Sequence, residues 1–282
     1  MINKAVFSYI CNEERSPSGY NSFEDMCACL SLASNVAKKH FKKMELITNS
    51  YAASIFIDKL QLPFTTVKTE FDNWKHLPQI FWGFGKVKSY QMQDEPFCHI
   101  DGDVFMWDKL PNDMLDAKLI FQSCETPFIS GYGWYVPLLS LADRLPVYPQ
   151  IIKDNPVKMA FNCGICGAND LEIIQDWYKA SSHYVLGEQN WPIIQRSSMA
   201  IHQNLLHEQY FISSICKSKG YLPNKEVRFL LNTNTILEDC YRPERKFTHL
   251  WGTTKKDVKN MNKVWARLHT DYPETYELLK KL

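Results

Sequence analysis

No stretch of this 282-residue chain approaches the ~20 consecutive apolar residues that crossing a bilayer requires, so no transmembrane segment is expected. An excess of charge is missing too. The 32 basic residues offset 31 acidic ones, leaving +1 with histidines neutral and no general basic surface for nucleic acid. A disulfide framework is also absent. The nine cysteines are an odd number scattered between Cys11 and Cys240, which suits thiols acting as small apolar fillers in a reducing compartment. The opening residues, Met1 to Phe7, lack the apolar core of a secretory signal, so the expectation is a cytoplasmic protein. Internal repeats and low-complexity tracts do not occur. What is present is the composition of a globular domain: 45% hydrophobic and 13% aromatic residues, enough to exclude disorder over most of the chain.

The first third alternates strand and helix patterns. Lys4 to Ile10 is a short β-rich run. Ser22 then reads as an N-cap with Asp25 three residues on, and Met26, Leu30, Ala33 and Ala37 follow near helical spacing. Met44 to Thr48 is a second strand, Ala52 to Leu60 a helix stopped by Pro63, and Phe64 to Val67 a third strand. This order predicts an α/β fold with a mostly parallel sheet flanked by helices. Phe97 to Ile100 is a further strand, ending in Asp101-Gly102-Asp103. Residues 122–155 are rich in proline, glycine and aromatics and read as a functional loop. Helical signals return at 170–180, 205–219 and 273–282. No domain boundary stands out. The expectation is one domain over 1–282, with a nucleotide-binding half at 1–107 and an acceptor side with a closing loop at 108–282.

Asp101-Gly102-Asp103 is the sharpest chemical feature. Two carboxylates one residue apart at a strand end can face one ion if the backbone bends at Gly102, and oxygen ligands suit Mg²⁺ or Mn²⁺. Ligands of open α/β sheets gather beyond the carboxyl ends of strands, where this motif falls. His249-Leu250-Trp251-Gly252-Thr253-Thr254-Lys255 adds an imidazole, a glycine that lets backbone amides approach a phosphate, and a lysine point charge. Phe161-Asn162-Cys163-Gly164 offers Asn162 as donor and acceptor, with Gly164 allowing close approach to a sugar, or is a plain turn. Glu208 and Gln209 face a sugar or merely decorate a helix. The pairs Cys27-x-Cys29 and Cys163-x-x-Cys166 are expected to be packing residues rather than zinc or redox sites.

Together these motifs resemble the nucleotide-sugar glycosyltransferases of the GT-A fold, above all the retaining group containing glycogenin and the lipopolysaccharide galactosyl- and glucosyltransferases. The order matches from Val6 to Lys255: a β-α-β unit, strand-D-x-D, F-N-x-G, an acidic-Gln pair, then H-x-x-G-x-x-K. The resemblance implies a Rossmann-like single domain with Asp101, Asp103 and His249 as Mn²⁺ ligands. It implies Gly102, Gly252 and Lys255 at the donor diphosphate, and Asn162, Gly164, Glu208 and Gln209 around the donor sugar. Ser8 and Tyr9 fall where that family holds the nucleoside. Lys256-Asp257 replaces the usual Pro-Trp, Cys163 stands in the small-residue position, and Tyr210 replaces a carboxylate.

The implied activity is metal-dependent transfer of a hexose from a nucleotide-diphosphate donor, UDP-linked by resemblance, to an acceptor hydroxyl. Lys255, Glu208 and Gln209 would carry the catalytic roles, with Tyr132, Trp134 and Tyr135 either offering faces to an acceptor sugar or packing in the core. Two alternatives stay open. His99-Ile100-Asp101-Gly102-Asp103-Val104 also satisfies the short motif of haloacid dehalogenase phosphohydrolases, with Asp101 as nucleophile. A non-catalytic protein that binds a nucleotide sugar is the other.

Overall fold

Short apolar runs broken by Asn, Asp, Gly and Pro set the elements of this chain. The computed structural model describes residues 2–11, 19–74, 77–125, 135–222, 225–231 and 246–282. Among these, the strands are β1 (Lys4–Ser8), β2 (Lys43–Ile47), β3 (Thr66–Lys68), β4 (Phe97–Ile100), β5 (Val104–Met106), β6 (Leu119–Glu125), β7 (Ala160–Ala168), β8 (Val227–Leu231) and β9 (Phe247–His249). The α-helices are α1 (Phe23–Lys38), α2 (Ser50–Ala53), α3 (Phe84–Gln91), α4 (Tyr135–Ala142), α5 (Gln150–Asp154), α6 (Leu171–Val185), α7 (Trp191–Gln195), α8 (Phe211–Ser218), α9 (Val258–Asp271) and α10 (Pro273–Leu279). No helix among the described residues is long and apolar enough to cross a membrane.

The chain forms two compact units, each assembled from separated segments. The first comprises Met1–Ile2, His76–Phe97 and Asp113–Ile236; the second comprises Asn3–Lys75, Cys98–Asn112 and Leu237–Leu282. In the second unit the strand order is β3-β2-β1-β4, with every pairing parallel, as the β-α-β-α-β pattern predicts. Helix α1 makes the crossover. Its start is fixed by Ser22, whose side chain accepts from the Asp25 amide at 3.0 Å, with Glu24 and Asp25 complementing the helix dipole. The face of α1 carrying Met26, Leu30, Ala33 and Ala37 is buried as the spacing requires. Beyond Asp103 the chain turns into β5, which pairs antiparallel with β9 and places Val104 opposite His249.

In the first unit β6 pairs antiparallel with β7 and parallel with β8. Its core is aromatic. Phe121 and Phe161 ring centroids lie 4.9 Å apart, and Trp177 packs against Tyr90 at 5.1 Å. The mostly parallel strands with flanking helices are the α/β class expected.

Two local expectations fail, and one helix was not foreseen. Residues 122–155 are not one long loop, because β6 runs to Glu125 and α4 and α5 follow. Pro137 sits in the first turn of α4, where a missing N–H costs nothing, and Pro149 caps α5. Phe161 to Gly164 is no turn but the buried middle of β7. Helix α9 was not anticipated, although Met261, Val264 and Leu268, its buried residues, stand at helical spacing.

Candidate metal centre

Because β1, β2 and β4 run parallel, the residues after Ser8, Ile47 and Ile100 emerge at one edge of the second unit's strands. That edge is tied together by side chains the sequence reading passed over. Thr48 Oγ1 donates to the Tyr9 carbonyl at 2.6 Å, and Asn49 Nδ2 donates to the Cys11 carbonyl at 2.7 Å. Ser8 Oγ shares a hydrogen bond with His99 Nε2 at 2.9 Å, and His99 Nδ1 lies 3.7 Å from Asp101 Oδ1. Tyr9 packs edge-on against Phe56. Gly102 lies close to α1 without an unusual torsion: a Cβ there would meet Leu30 Cδ1 at 3.3 Å, a contact the leucine side chain would have to ease by a few tenths of an ångström.

At this edge Asp101, Asp103 and His249 come together, each offering one ligand atom, all within 4.8 Å of one another. The β5–β9 ribbon delivers the imidazole, and the Leu250 amide donates to the Asp103 carbonyl at 2.9 Å, which fixes the approach. His249 Nε2 stands 3.5 Å from Asp103 Oδ1. Gly252 has φ +55°, a left-handed conformation that favours glycine, and opens the turn that carries Lys255. Lys255 Nζ donates to Asp103 Oδ2 at 2.8 Å and lies 4.9 Å above the Tyr20 ring. Asn21 braces the same turn by donating to the Lys256 carbonyl at 2.8 Å.

Burial pushes the Asp103 carboxyl up, but Lys255 and then His249 outweigh it and hold Asp103 well below the usual carboxylate range. For Lys255 burial works downward, and Asp103 overrides it so that the ammonium is held above its ordinary value. Burial, with Asp103 adding to it, pushes the neighbouring Cys29 thiol far up. The cluster therefore presents an ionised Asp103 beside the Asp101 carboxyl, an imidazole and one cation. Two carboxylates and an imidazole suit a divalent ion such as Mn²⁺ or Mg²⁺.

The remaining site residues lie in the first unit. Asn162 Nδ2 donates to Glu125 Oε1 at 2.9 Å, while its Oδ1 accepts from the Gly164 amide at 3.0 Å. Glu208 is buried in an ion pair with Lys86, a buried lysine on α3 that sequence reasoning missed. Lys86 also donates to the Cys163 carbonyl at 3.3 Å. The only available signal for Lys86 was a lysine following the aromatic and glycine run Phe81 to Gly85, with a second lysine at 88. Gln209 Oε1 accepts from Tyr135 Oη at 2.9 Å. Tyr135 is buried, which makes it a core residue rather than a face for an acceptor; Tyr132 and Trp134 lie outside the described residues. Cys163 and Cys166 are buried in β7 as free thiols, and Cys29 packs its sulfur 3.8 Å from that of Met261.

His207, beside Glu208, is fully buried among Phe81, Phe84 and Tyr184, with neither ring nitrogen hydrogen-bonded. Burial lowers its pKa to about 3. The unfolded chain takes up the proton near pH 6.5 and the folded one does not, so stability is lost as pH falls below that value. Between pH 6.5 and 5 the loss reaches up to about 2 kcal/mol. His207→Phe is expected to flatten this dependence. Urea unfolding at pH 7.5 and pH 5 checks it, and an unchanged pH slope in the variant sinks the idea.

Residues 7–282 match the family described as a family of unknown function, DUF6734. The chain belongs to this family. No curated protein matches it. Among solved structures, this DUF6734 member is similar to the galactosyltransferase LgtC in complex with donor and acceptor sugar analogs. The identity is 14% over 99% of this chain and 96% of that one, with a TM-score of 0.42. An active-site mutant of LgtC matches at 15% identity over 72% and 69% of the two chains, TM-score 0.36. Mouse xyloside xylosyltransferase 1, in its apo form, matches at 12% identity over 82% of this chain and 85% of that one, TM-score 0.38.

Proposed function

We propose that this DUF6734 protein is a metal-dependent glycosyltransferase of the GT-A type that moves a hexose from a UDP-sugar to an acceptor hydroxyl. The convergence of Asp101, Asp103 and His249, with Lys255 on Asp103, carries the reading. It joins the strand-D-x-D to an H-x-x-G-x-x-K segment whose lysine is 152 residues from Asp103 in the chain. An aspartyl nucleophile at Asp101 would give His249 no reason to stand beside the carboxylates, so the phosphohydrolase alternative gains no support from this geometry.

In this reading Asp101, Asp103 and His249 hold the ion, which when bound supplies Lewis-acid neutralisation of a diphosphate. Ser8 and Tyr9 hold the nucleoside, while Gly102 and the backbone around Gly252 accommodate the phosphates. Lys255 exchanges Asp103 for the diphosphate and stabilises the negative charge that grows as the bond from the anomeric carbon to the phosphate oxygen breaks. The acceptor oxygen forms the new bond to that carbon and loses its proton. Asn162, Gly164, Glu208 and Gln209 are assigned to the sugar, with Lys86 paired to the Glu208 carboxylate and holding it in place. The same reading places the protein in the cytoplasm.

A thermal-shift panel of nucleotides and nucleotide sugars with and without Mn²⁺ tests it, because a ligand that binds only the folded state raises the melting temperature. UDP protection that requires Mn²⁺, followed by release of sugar from a UDP-sugar, is expected. Protection without sugar release under any acceptor would favour a binding protein instead. No Mn²⁺-dependent shift with any nucleotide defeats the proposal.

A further inference from the structure

The β5–β9 ribbon has a second face. Side chains alternate along a strand, so Val104 and His249 point one way while Phe105, Trp107, Thr248 and Leu250 point the other. These last four line a cavity of about 610 Å³ inside the second unit, closed by Leu32 and Val36 of α1 and by Val264 of α9. The volume is that of a small-molecule pocket. Its rim is cationic. Lys39 lies over the Tyr272 ring at 5.1 Å, Arg267 over the Trp107 ring at 5.2 Å, and Lys263 stands beside them. Asp271, paired with Arg267 at 3.2 Å, is the one carboxylate in the lining, so two positive charges are in surplus.

We propose that this cavity is a second ligand site, separate from the Asp101–Asp103–His249 centre, that takes a small amphipathic anion. Its apolar chain or ring lies against Leu32, Val36, Phe105 and Val264. Its acidic head faces Lys39 and Lys263 at the rim.

The probe is 1-anilinonaphthalene-8-sulfonate, compared with its uncharged parent N-phenyl-1-naphthylamine, on the full chain by fluorescence titration. The sulfonate is expected to saturate one site and to be displaced by monomeric decanoate but not by UDP with Mn²⁺. Lys39 and Lys263 are both exposed, so the Lys39→Glu/Lys263→Glu pair keeps the fold, checked by its melting curve. It should weaken the sulfonate at least ~10-fold and leave the neutral parent within about twofold, as loss of a charge-assisted contact requires. Lys263→Glu alone repeats the test if the pair alters melting. Sulfonate binding that never saturates, or that the charge reversal leaves unchanged, overturns the proposal. Displacement by UDP with Mn²⁺ would merge the two sites and overturn it as well. So would displacement by phosphatidylglycerol vesicles alone, which would make the face a membrane contact. Failure of UDP to bind leaves this test intact, since its readout does not pass through the metal centre.

Discussion

Asp103→Asn is expected to abolish Mn²⁺-dependent binding of UDP, with a loss of at least ~10²-fold, because losing a ligand costs no less than losing the groups that merely orient one. Asp103 is the hub of the centre. One carboxylate oxygen faces His249 at 3.5 Å and the other accepts from Lys255 at 2.8 Å. Asparagine keeps the shape and an acceptor for Lys255 but removes the charge that attracts the ion. The fold should therefore survive, since β5 is held to β9 through backbone bonds and not through this carboxylate. Calorimetric titration with Mn²⁺ alone, then with UDP added, separates loss of the ion from loss of the nucleotide. Wild-type affinity for UDP with Mn²⁺ in this variant would sink the metal assignment and the proposed activity with it. Asp101→Asn is a useful companion, because Asp101 is only partly buried and lies 3.7 Å from His99.

How far the sequence foretold this site depended on what kind of signal each residue leaves. Asp101 and Asp103 were legible because a strand pattern ends where they begin. His249 and Lys255 were legible as a compact loop, though their meeting with Asp103 is a tertiary fact that rests on a three-residue strand pair. Lys86 and Glu208 were a different case. A buried ion pair joins residues 122 apart in sequence and leaves no periodicity behind, so Glu208 read as facing a sugar or decorating a helix, and Lys86 not at all. The stretch at 122–155 misled for a physical reason: proline and glycine mark turns, but proline is equally at home in the first turn of a helix. Asn162 was legible as a polar residue in a special place, yet its partner Glu125 lies on the neighbouring strand β6. The register that brings them together includes a bulge between Phe121 and Ser123, which no alternation rule places in advance.

Lys255→Ala should split binding from catalysis. With no nucleotide present, the ammonium occupies one oxygen of Asp103 and repels any second cation there. Removing it is expected to tighten Mn²⁺ binding by roughly tenfold, a modest share of the few kcal/mol by which like charges in contact repel near a protein surface. Turnover should move the other way. A departing diphosphate carries more negative charge in the transition state than in the bound donor, so a lysine that joins it contributes mainly to kcat. A fall in kcat of ~10²-fold, with the KM for the donor changed much less, is the signature of one lost electrostatic stabiliser. A structural role for Lys255, as a mere partner for a buried carboxylate, predicts something else: lower stability, no gain in Mn²⁺ affinity and equal losses in binding and rate. Arginine at this position keeps the charge but not the compact ammonium, and should recover part of kcat while weakening Mn²⁺ again. Tyr20 offers an internal control, since its ring lies 4.9 Å from the Lys255 ammonium and that contact does not need its hydroxyl. Tyr20→Phe leaves the ring and should leave both constants near their original values. If Lys255→Ala weakens Mn²⁺ and kcat falls no more than donor binding does, the lysine belongs to the scaffold and the leaving-group role goes to another residue.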